Sequence, residues 1–353
     1  MGTIGYAMER AAKLIATARL TALVASAGTA TVAALRTRRS RLNLAGKSVV
    51  IVGGSRGLGL QIAREAAHRG ARVGLCARQA DELDVARGEL GAGGAVAVTA
   101  VCDVNDDGSV MTAFERMTAE LGAIDVLVNA AGIIGVGPID ALSFADFRAA
   151  METNFFGALR ATYAVLPAMR ERRAGRIVNI TSIGGAIPVP HLLPYCASKF
   201  AFLGFSDGLR AELARDGVAV ITVIPGLMRT GSPPHATFIG QSEKEYTLFS
   251  LADATPLTSV SVDHAARVIL DGVEKGSARV VISWQARLAL RLQALAPSLV
   301  RAGLTFTGFV LPRGGDHPEH KTGSQSETPL TRSVVTAASQ RASQTQNENL
   351  HTD

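Results

Sequence analysis

Short apolar runs, rich in β-branched residues, recur through the middle of this chain: SVVIVGG (48–54), RVGLCA (72–77), VAVTAVCD (96–103), IDVLVNAAG (124–132), RIVNIT (176–181), VAVITVIPG (218–226) and ARVVIS (278–283). Continuous apolar runs of this length predict strands covered on both faces, since a half-exposed strand would alternate with polar residues. Helix-like stretches separate them. Strands alternating with helices predict βαβ units, hence an α/β domain with a doubly wound parallel sheet over residues 47–283.

The flanks have a different texture. Residues 1–46 form an apolar and basic extension, in which LTALVASAGTATVAAL (20–35) runs sixteen residues without a charge. A membrane span needs about twenty, and bases flank both ends of this one. Three readings stand for it: a helix lying on a membrane, a weak span, or an extension that packs on the domain. The opening MGTIGY has Tyr6 where a myristoylation signal requires Ser or Thr. Beyond Ser283, the segment 284–312 is apolar with Arg287, Arg291 and Arg301, and Pro297 interrupts it. It predicts an amphipathic segment, either on a membrane or over a subunit or substrate pocket. Residues 313–353 are rich in Ser, Thr, Gln, Asn and Gly and read as a disordered tail.

Charge sharpens this division. The chain of 353 residues carries a net +6, yet residues 1–47 alone hold eight bases and one acid, so the remainder carries a net −1. The high pI therefore belongs to an arm. A nucleic-acid-binding domain would carry its basic patch on the folded part, so nucleic acid is not an expected partner. A basic arm beside apolar residues points first to an anionic membrane surface. The three cysteines, Cys76, Cys102 and Cys196, lie in apolar or motif-bearing stretches and form no disulfide framework. Reduced thiols in a cytoplasmic setting are expected, with association to the inner face of a membrane as an open extension of that reading. No Cys/His cluster has metal-ligand spacing, so no metal is expected.

The chemistry begins where the first strand ends, in VGGSRGLG (52–59). Gly53, Gly57 and Gly59 allow a tight turn and close approach of a diphosphate to the backbone, and the helix that follows offers N–H groups and the positive end of its dipole. Between a first strand and a first helix, this pattern predicts a dinucleotide site. The second strand ends at Ala77–Arg78, where a site for NAD would place an acid against the ribose 2′-hydroxyl. Arg56 in the glycine loop and Arg78 can together clamp a 2′-phosphate, so NADP(H) is expected in preference to NAD(H). A further pair, Tyr195 and Lys199 in YCASK, lies four residues apart and shares a face if helical. A lysine ammonium beside a phenol favours the phenolate.

Taken together, these motifs resemble the short-chain dehydrogenases/reductases, Rossmann-fold oxidoreductases that use NAD(P), and the resemblance runs from about Lys47 to Ser283. VGGSRGLG is similar to the family's TGxxxGxG loop, with Val52 in place of Thr, and brings Ser55 and Leu58 to the cofactor beside the glycines and Arg56. CDV places Asp103, with Val104 beside it, toward the adenine. NAAG resembles NNAG, with Asn129 kept and Ala130 replacing the second Asn. NFFG supplies Asn154, NITS supplies Ser182, YCASK supplies Tyr195 and Lys199, and PGLMRT places Pro225, Gly226 and Thr230 along the nicotinamide. The departures at Val52 and Ala130 touch loop and sheet support.

The resemblance implies roles. Tyr195 is the general acid/base, its pKa lowered by Lys199 and by an oxidised nicotinamide. Lys199 also binds the nicotinamide ribose, Ser182 bonds the substrate oxygen, and Asn154 holds a water that links Lys199 to solvent. The implied reaction interconverts a carbonyl and an alcohol. His191 reads as a loop residue with no proton role, and Cys196 as packing. A long flap, about 227–262, carries Phe238, Ile239, Tyr246, Leu248 and Phe249, which read equally as an apolar lid or as packing. With the apolar flanks, a lipophilic ketone, aldehyde or alcohol is the expected substrate. The family pairs subunits through the helices that carry Asn154 and Tyr195, which implies a homodimer or homotetramer. The alternative is a non-catalytic NADP-binding sensor or scaffold; retention of Tyr195, Lys199 and Ser182 argues against it, and Tyr195→Phe discriminates.

Overall fold

In a computed structural model, which describes residues 41–229, 233–254, 259–314, 319–328 and 331, every element lies in the unit that begins at Asn43. β1 (Ser48–Val52), β2 (Arg72–Ala77), β3 (Ala97–Val101), β4 (Val126–Asn129), β6 (Gly175–Ile180), β7 (Val218–Ile224) and β11 (Arg279–Val281) form one seven-stranded sheet. Each predicted run supplies one strand. The order is β11-β7-β6-β4-β1-β2-β3 and every pairing is parallel.

Between the strands run α1 (Gly57–His68), α2 (Ala80–Ala92), α3 (Asp107–Leu121), α4 (Phe144–Met151), α5 (Gly157–Glu171), α6 (Leu193–Glu212) and α8 (Val262–Lys275). Val50 and Val52 point with Phe114, Met117, Val165 and Met169 into one buried cluster under α3 and α5. Side chains alternate along a strand, so Val49 and Ile51 face the opposite side, where α1 packs against α8. Burying each such side chain stabilises by roughly 1.5–3 kcal/mol. β1 is flanked by β2 and β4, so the chain leaves β1 in one direction and returns on its other side. That switch point opens a crevice at the carboxyl ends of the strands, where doubly wound sheets bind ligands.

The described residues of the flap form regular elements. The flap contains β8 (Leu227–Arg229), β9 (Thr237–Ile239), α7 (Ser242–Ala254) and β10 (Ser259–Ser261), with β8 paired to β10. Phe238, Ile239 and Tyr246 are buried, and the Phe238 ring meets Tyr246 and Phe249 edge-on at 5.3 and 5.8 Å. Packing therefore takes these residues, while Leu248 stays exposed.

A short stretch of the tail, 319–328, departs from expectation. Residues 313–353 read as disordered, yet β12 (His320–Thr322) pairs antiparallel with β9, and β9 pairs parallel with β5 (Gly135–Val136). A 3-10 turn follows at Ser324–Ser326, and Ser326 and Thr331 are buried. The physical reason is backbone pairing: an edge strand accepts any polar sequence whose N–H and C=O groups complete its ladder. The segment 284–312 forms α9 (Trp284–Leu295) and α10 (Pro297–Val310), with Pro297 at the start of α10. No residue of α10 is buried. Among the described residues no helix is long and apolar enough to cross a membrane. The expectations for 1–40, for Thr230 and for 332–353 lie outside the described residues.

Candidate active site

The glycine loop is shaped by what a side chain would strike. Gly53 has φ +80°, and a Cβ there would lie 2.6 Å from the Ala131 nitrogen; a Cβ on Gly59 would collide with the Gly53 carbonyl. Gly53 donates its N–H to the Cys76 carbonyl at 2.7 Å, which pins the turn to the neighbouring strand. α1 begins behind Arg56, whose backbone is extended and whose side chain caps nothing. The first-turn N–H groups therefore face the crevice without a side-chain acceptor, the arrangement a diphosphate completes. The loop thus fits a dinucleotide.

Around it the residues expected to bind the cofactor divide. Ser55 is buried and donates its hydroxyl to Glu82 Oε2 at 2.6 Å, and Arg56 Nη1 lies 3.3 Å from Glu82 Oε1. Arg78 is exposed just beyond β2, and Leu58 is half-buried in the first turn of α1. Asp103 accepts from Asn105 N–H at 3.0 Å, and Val104 is buried against Gly157 at the start of α5. Asn129 turns away from the crevice: its Nδ2 donates to Thr162 Oγ1 of α5 and to Asn179 Oδ1 of β6, at 3.2 and 3.0 Å, between the sheet and that helix. Ala130 donates its N–H to Val52 O at 2.9 Å, so both residues link β4 to β1.

A second constellation stands beside the loop. Asn154 lies in a π turn, Glu152–Phe156, inserted between α4 and α5. Such turns re-aim a side chain, and they recur at functional sites. Fully buried, Asn154 accepts from Ile133 N–H at 2.7 Å and donates to Ile133 O at 3.1 Å and to Ser198 Oγ at 2.9 Å. One lone pair of Oδ1 remains. Ser182 caps the short turn Ile183–Gly185, accepting from Gly184 N–H at 3.0 Å, and its hydroxyl lies beside the Tyr195 side chain. Ile183 N–H donates to Pro225 O at 2.8 Å, which ties this turn to the Pro225–Gly226 corner.

Tyr195 and Lys199 lie on one face of α6. The Lys199 ammonium is buried, donates to Ile180 O at 3.0 Å and sits 5.7 Å from the centre of the Tyr195 ring. Desolvation pulls Lys199 down to about 8. It also pushes the largely buried Tyr195 up to about 12, against the neighbouring Ser182 hydroxyl, which favours the phenolate. The expected lowering of the phenol by Lys199 is thus not met in the protein alone: atoms packed around the phenol disfavour its anion more than neighbouring dipoles support it. Cys196 has its thiol pushed up by burial and accepts from Val189 N–H at 3.3 Å, as a packing residue does.

Three residues of this neighbourhood find partners that the sequence does not record. Glu82 holds the glycine loop. His191, in the left-handed region at φ 64°, has Nδ1 2.7 Å from Glu245 Oε1 of α7, so it fastens the flap just ahead of Tyr195. His235 reaches Arg56 from the flap. Each depends on a neighbour from a distant element. A groove of about 560 Å³ opens alongside, with His191 and Leu193 on one wall and Leu304 and Leu311 on the other.

Known proteins carry the same framework. The model of a family described as short chain dehydrogenase matches residues 47–236. The Bos taurus protein "Dehydrogenase/reductase SDR family member 7B" is 35% identical over 268 residues, 74% of this chain and 81% of its own. A "Putative ketoacyl reductase" of Streptomyces coelicolor is 40% identical over 183 residues, 51% of this chain and 70% of its own. Among solved structures, an actinorhodin polyketide ketoreductase with NADPH superposes with a TM-score of 0.60 at 32% identity, covering 67% of this chain and 95% of that one. A gluconate 5-dehydrogenase from Burkholderia cenocepacia in complex with NADP and tartrate gives 0.61 at 29% identity, covering 70% and 98%. With motifs, sheet order and relatives in agreement, the chain belongs to the short-chain dehydrogenase/reductase family and is an oxidoreductase of that family.

Proposed function

We propose that the enzyme interconverts a lipophilic ketone or aldehyde and its alcohol with NADP(H), using Tyr195 as acid/base. The observation that carries this reading is the contact of the Tyr195 side chain with Ser182, above a buried Lys199 on the same helix face. NADP(H), when bound, supplies or accepts the hydride. In reduction Tyr195 gives its proton to the carbonyl oxygen as negative charge develops there, and Ser182 donates a hydrogen bond to the same oxygen. Lys199 hydrogen-bonds the tyrosinate and relays a proton back to it; the remaining lone pair of Asn154 Oδ1 anchors the water that reaches solvent. In oxidation the steps reverse.

NADP(H) preference rests on Arg56 and Arg78 with Ala77, not an acid, at the end of β2. The lipophilic substrate rests on the groove walled by Leu193, Leu304 and Leu311. Association with an anionic membrane rests on α9 and α10, where Leu295, Leu299, Phe306 and Phe309 are exposed and the only charges are Arg287, Arg291 and Arg301. The relatives called ketoacyl reductase and ketoreductase act in the same direction of chemistry.

The test is fluorescence titration with NADPH and NADH, followed by assay of NADPH oxidation against a series of apolar ketones and aldehydes. Tight NADPH, weak NADH and turnover lost in Tyr195→Phe are the expected results. Equal cofactor affinities overturn the NADP(H) assignment, and an unchanged rate in Tyr195→Phe overturns the role of Tyr195.

A further inference from the structure

Arg56 has a neighbour that the dinucleotide fold itself does not supply. Its Nη1 lies 3.1 Å from Nδ1 of His235, in the short turn Pro233–His235 of the flap. The guanidinium is always protonated, so it donates, Nδ1 accepts, and the imidazole carries its proton on Nε2. On the other side Arg56 meets the buried carboxylate of Glu82, which also holds Ser55. One arginine of the cofactor loop is therefore shared between a helix of the sheet domain and the flap.

The turn that carries His235 is braced. Ala236 donates its N–H to Pro233 O at 3.2 Å, and Thr237 donates to Ile134 O at 3.0 Å as β9 begins. β9 then lies between β5 and β12. Gly323, just past β12, donates its N–H to Ala236 O at 2.9 Å, and a Cβ on it would collide with the Pro233 carbonyl. The C-terminal segment thus packs backbone to backbone against the turn, and the fully buried Phe238 anchors the strand that follows.

We infer that His235 is a cofactor-specificity residue supplied by the flap: with Arg56 it takes the 2′-phosphate of NADP(H), so that reading the phosphate and seating the flap are one event. The inference rests on the NADP(H) reading of Arg56 and Arg78. A phosphate presents three acceptor oxygens and nearly two negative charges. Arg56 already shares one edge with Glu82, so a donor from the flap adds a bond that Arg56 alone does not make. The 2′-hydroxyl of NAD(H) carries no such charge and leaves His235 on Arg56.

The experiment uses the full chain with His235→Ala, His235→Gln and Arg56→Ala, titrated with NADPH and with NADH, alongside protease cleavage within residues 237–254 under each cofactor. Expected are a roughly three- to tenfold loss of NADPH affinity in His235→Ala, the size of one partly exposed charge-assisted bond, with NADH affinity within about twofold. His235→Gln, which keeps a donor, recovers part of the loss. NADPH protects the flap in the wild type more than NADH does, and this difference disappears in His235→Ala. Equal losses for both cofactors, or no loss in either histidine variant, overturn the inference. Should Arg56→Ala leave the NADPH/NADH ratio unchanged, the NADP(H) reading itself fails; a ratio that falls in Arg56→Ala but not in His235→Ala removes only the role of His235.

Discussion

At the scale of single residues, the site depends on how burial treats two titratable groups. Lys199 has its folded pKa depressed to about 8 from 10.5. The unfolded chain therefore holds this proton up to higher pH than the folded one, and stability rises with pH between about 8 and 10.5. Tyr195, raised to about 12 from 10.0, works the other way: the folded state keeps its proton longer, and stability falls between about 10 and 12. In chemical denaturation, the stability of the wild type relative to Lys199→Met is expected to rise by about 2 kcal/mol from pH 7 to pH 10; a flat difference would remove the burial penalty. For catalysis, Tyr195→Phe is expected to lower turnover about 10²- to 10⁴-fold while leaving NADPH affinity within about twofold. The Gly53→Ala variant combines strain at positive φ with a clash on Ala131, so thermal unfolding should show a loss of roughly 1–3 kcal/mol, with dinucleotide affinity lost as well.

Among elements, the flap is the informative one. α7 is fastened through Glu245 to His191, ahead of the helix that carries Tyr195, and both side chains are nearly enclosed. Removing one partner leaves the other a buried polar group without its bond. His191→Ala is expected to raise KM several-fold with kcat changed less, and to speed proteolysis within α7; kcat falling alone would place His191 in the proton chemistry instead. β12 acts on the other side of the flap. Truncation after Arg313 removes the strand that pairs with β9, so faster cleavage of residues 237–254 is expected, while the seven-stranded sheet retains its circular dichroism.

For the whole molecule, two exposed apolar surfaces call for partners. α10 presents Leu299, Phe306 and Phe309 to solvent, with Arg301 as its one charge. Replacing these three with Ser is expected to reduce flotation with vesicles containing phosphatidylserine by about tenfold or more, and unchanged flotation would leave binding to residues 1–46. α5 and α6 expose Tyr163 and Phe200, the surface through which a homodimer or homotetramer is proposed. Light scattering at a dimer mass or above is expected, and a monomer mass would overturn that assembly.

By itself the sequence determined the strand runs, their alternation with helices, the glycine turn and the Tyr195/Lys199 pairing, because each follows from period, side-chain size and spacing within one or two elements. It also marked the apolar segment 284–312, which Pro297 divides. Tertiary structure decided the rest. Asn129 is held between the sheet and α5 because Asn179 and Thr162 meet it there. The polar segment 320–326 is ordered because β9 offers an open edge. The phenol of Tyr195 lies above its usual range because burial outweighs the support of the Ser182 hydroxyl beside it. Glu82, His191 and His235 acquire their partners from segments 26, 54 and 179 residues away, and no local pattern records a contact that only the folded chain brings together.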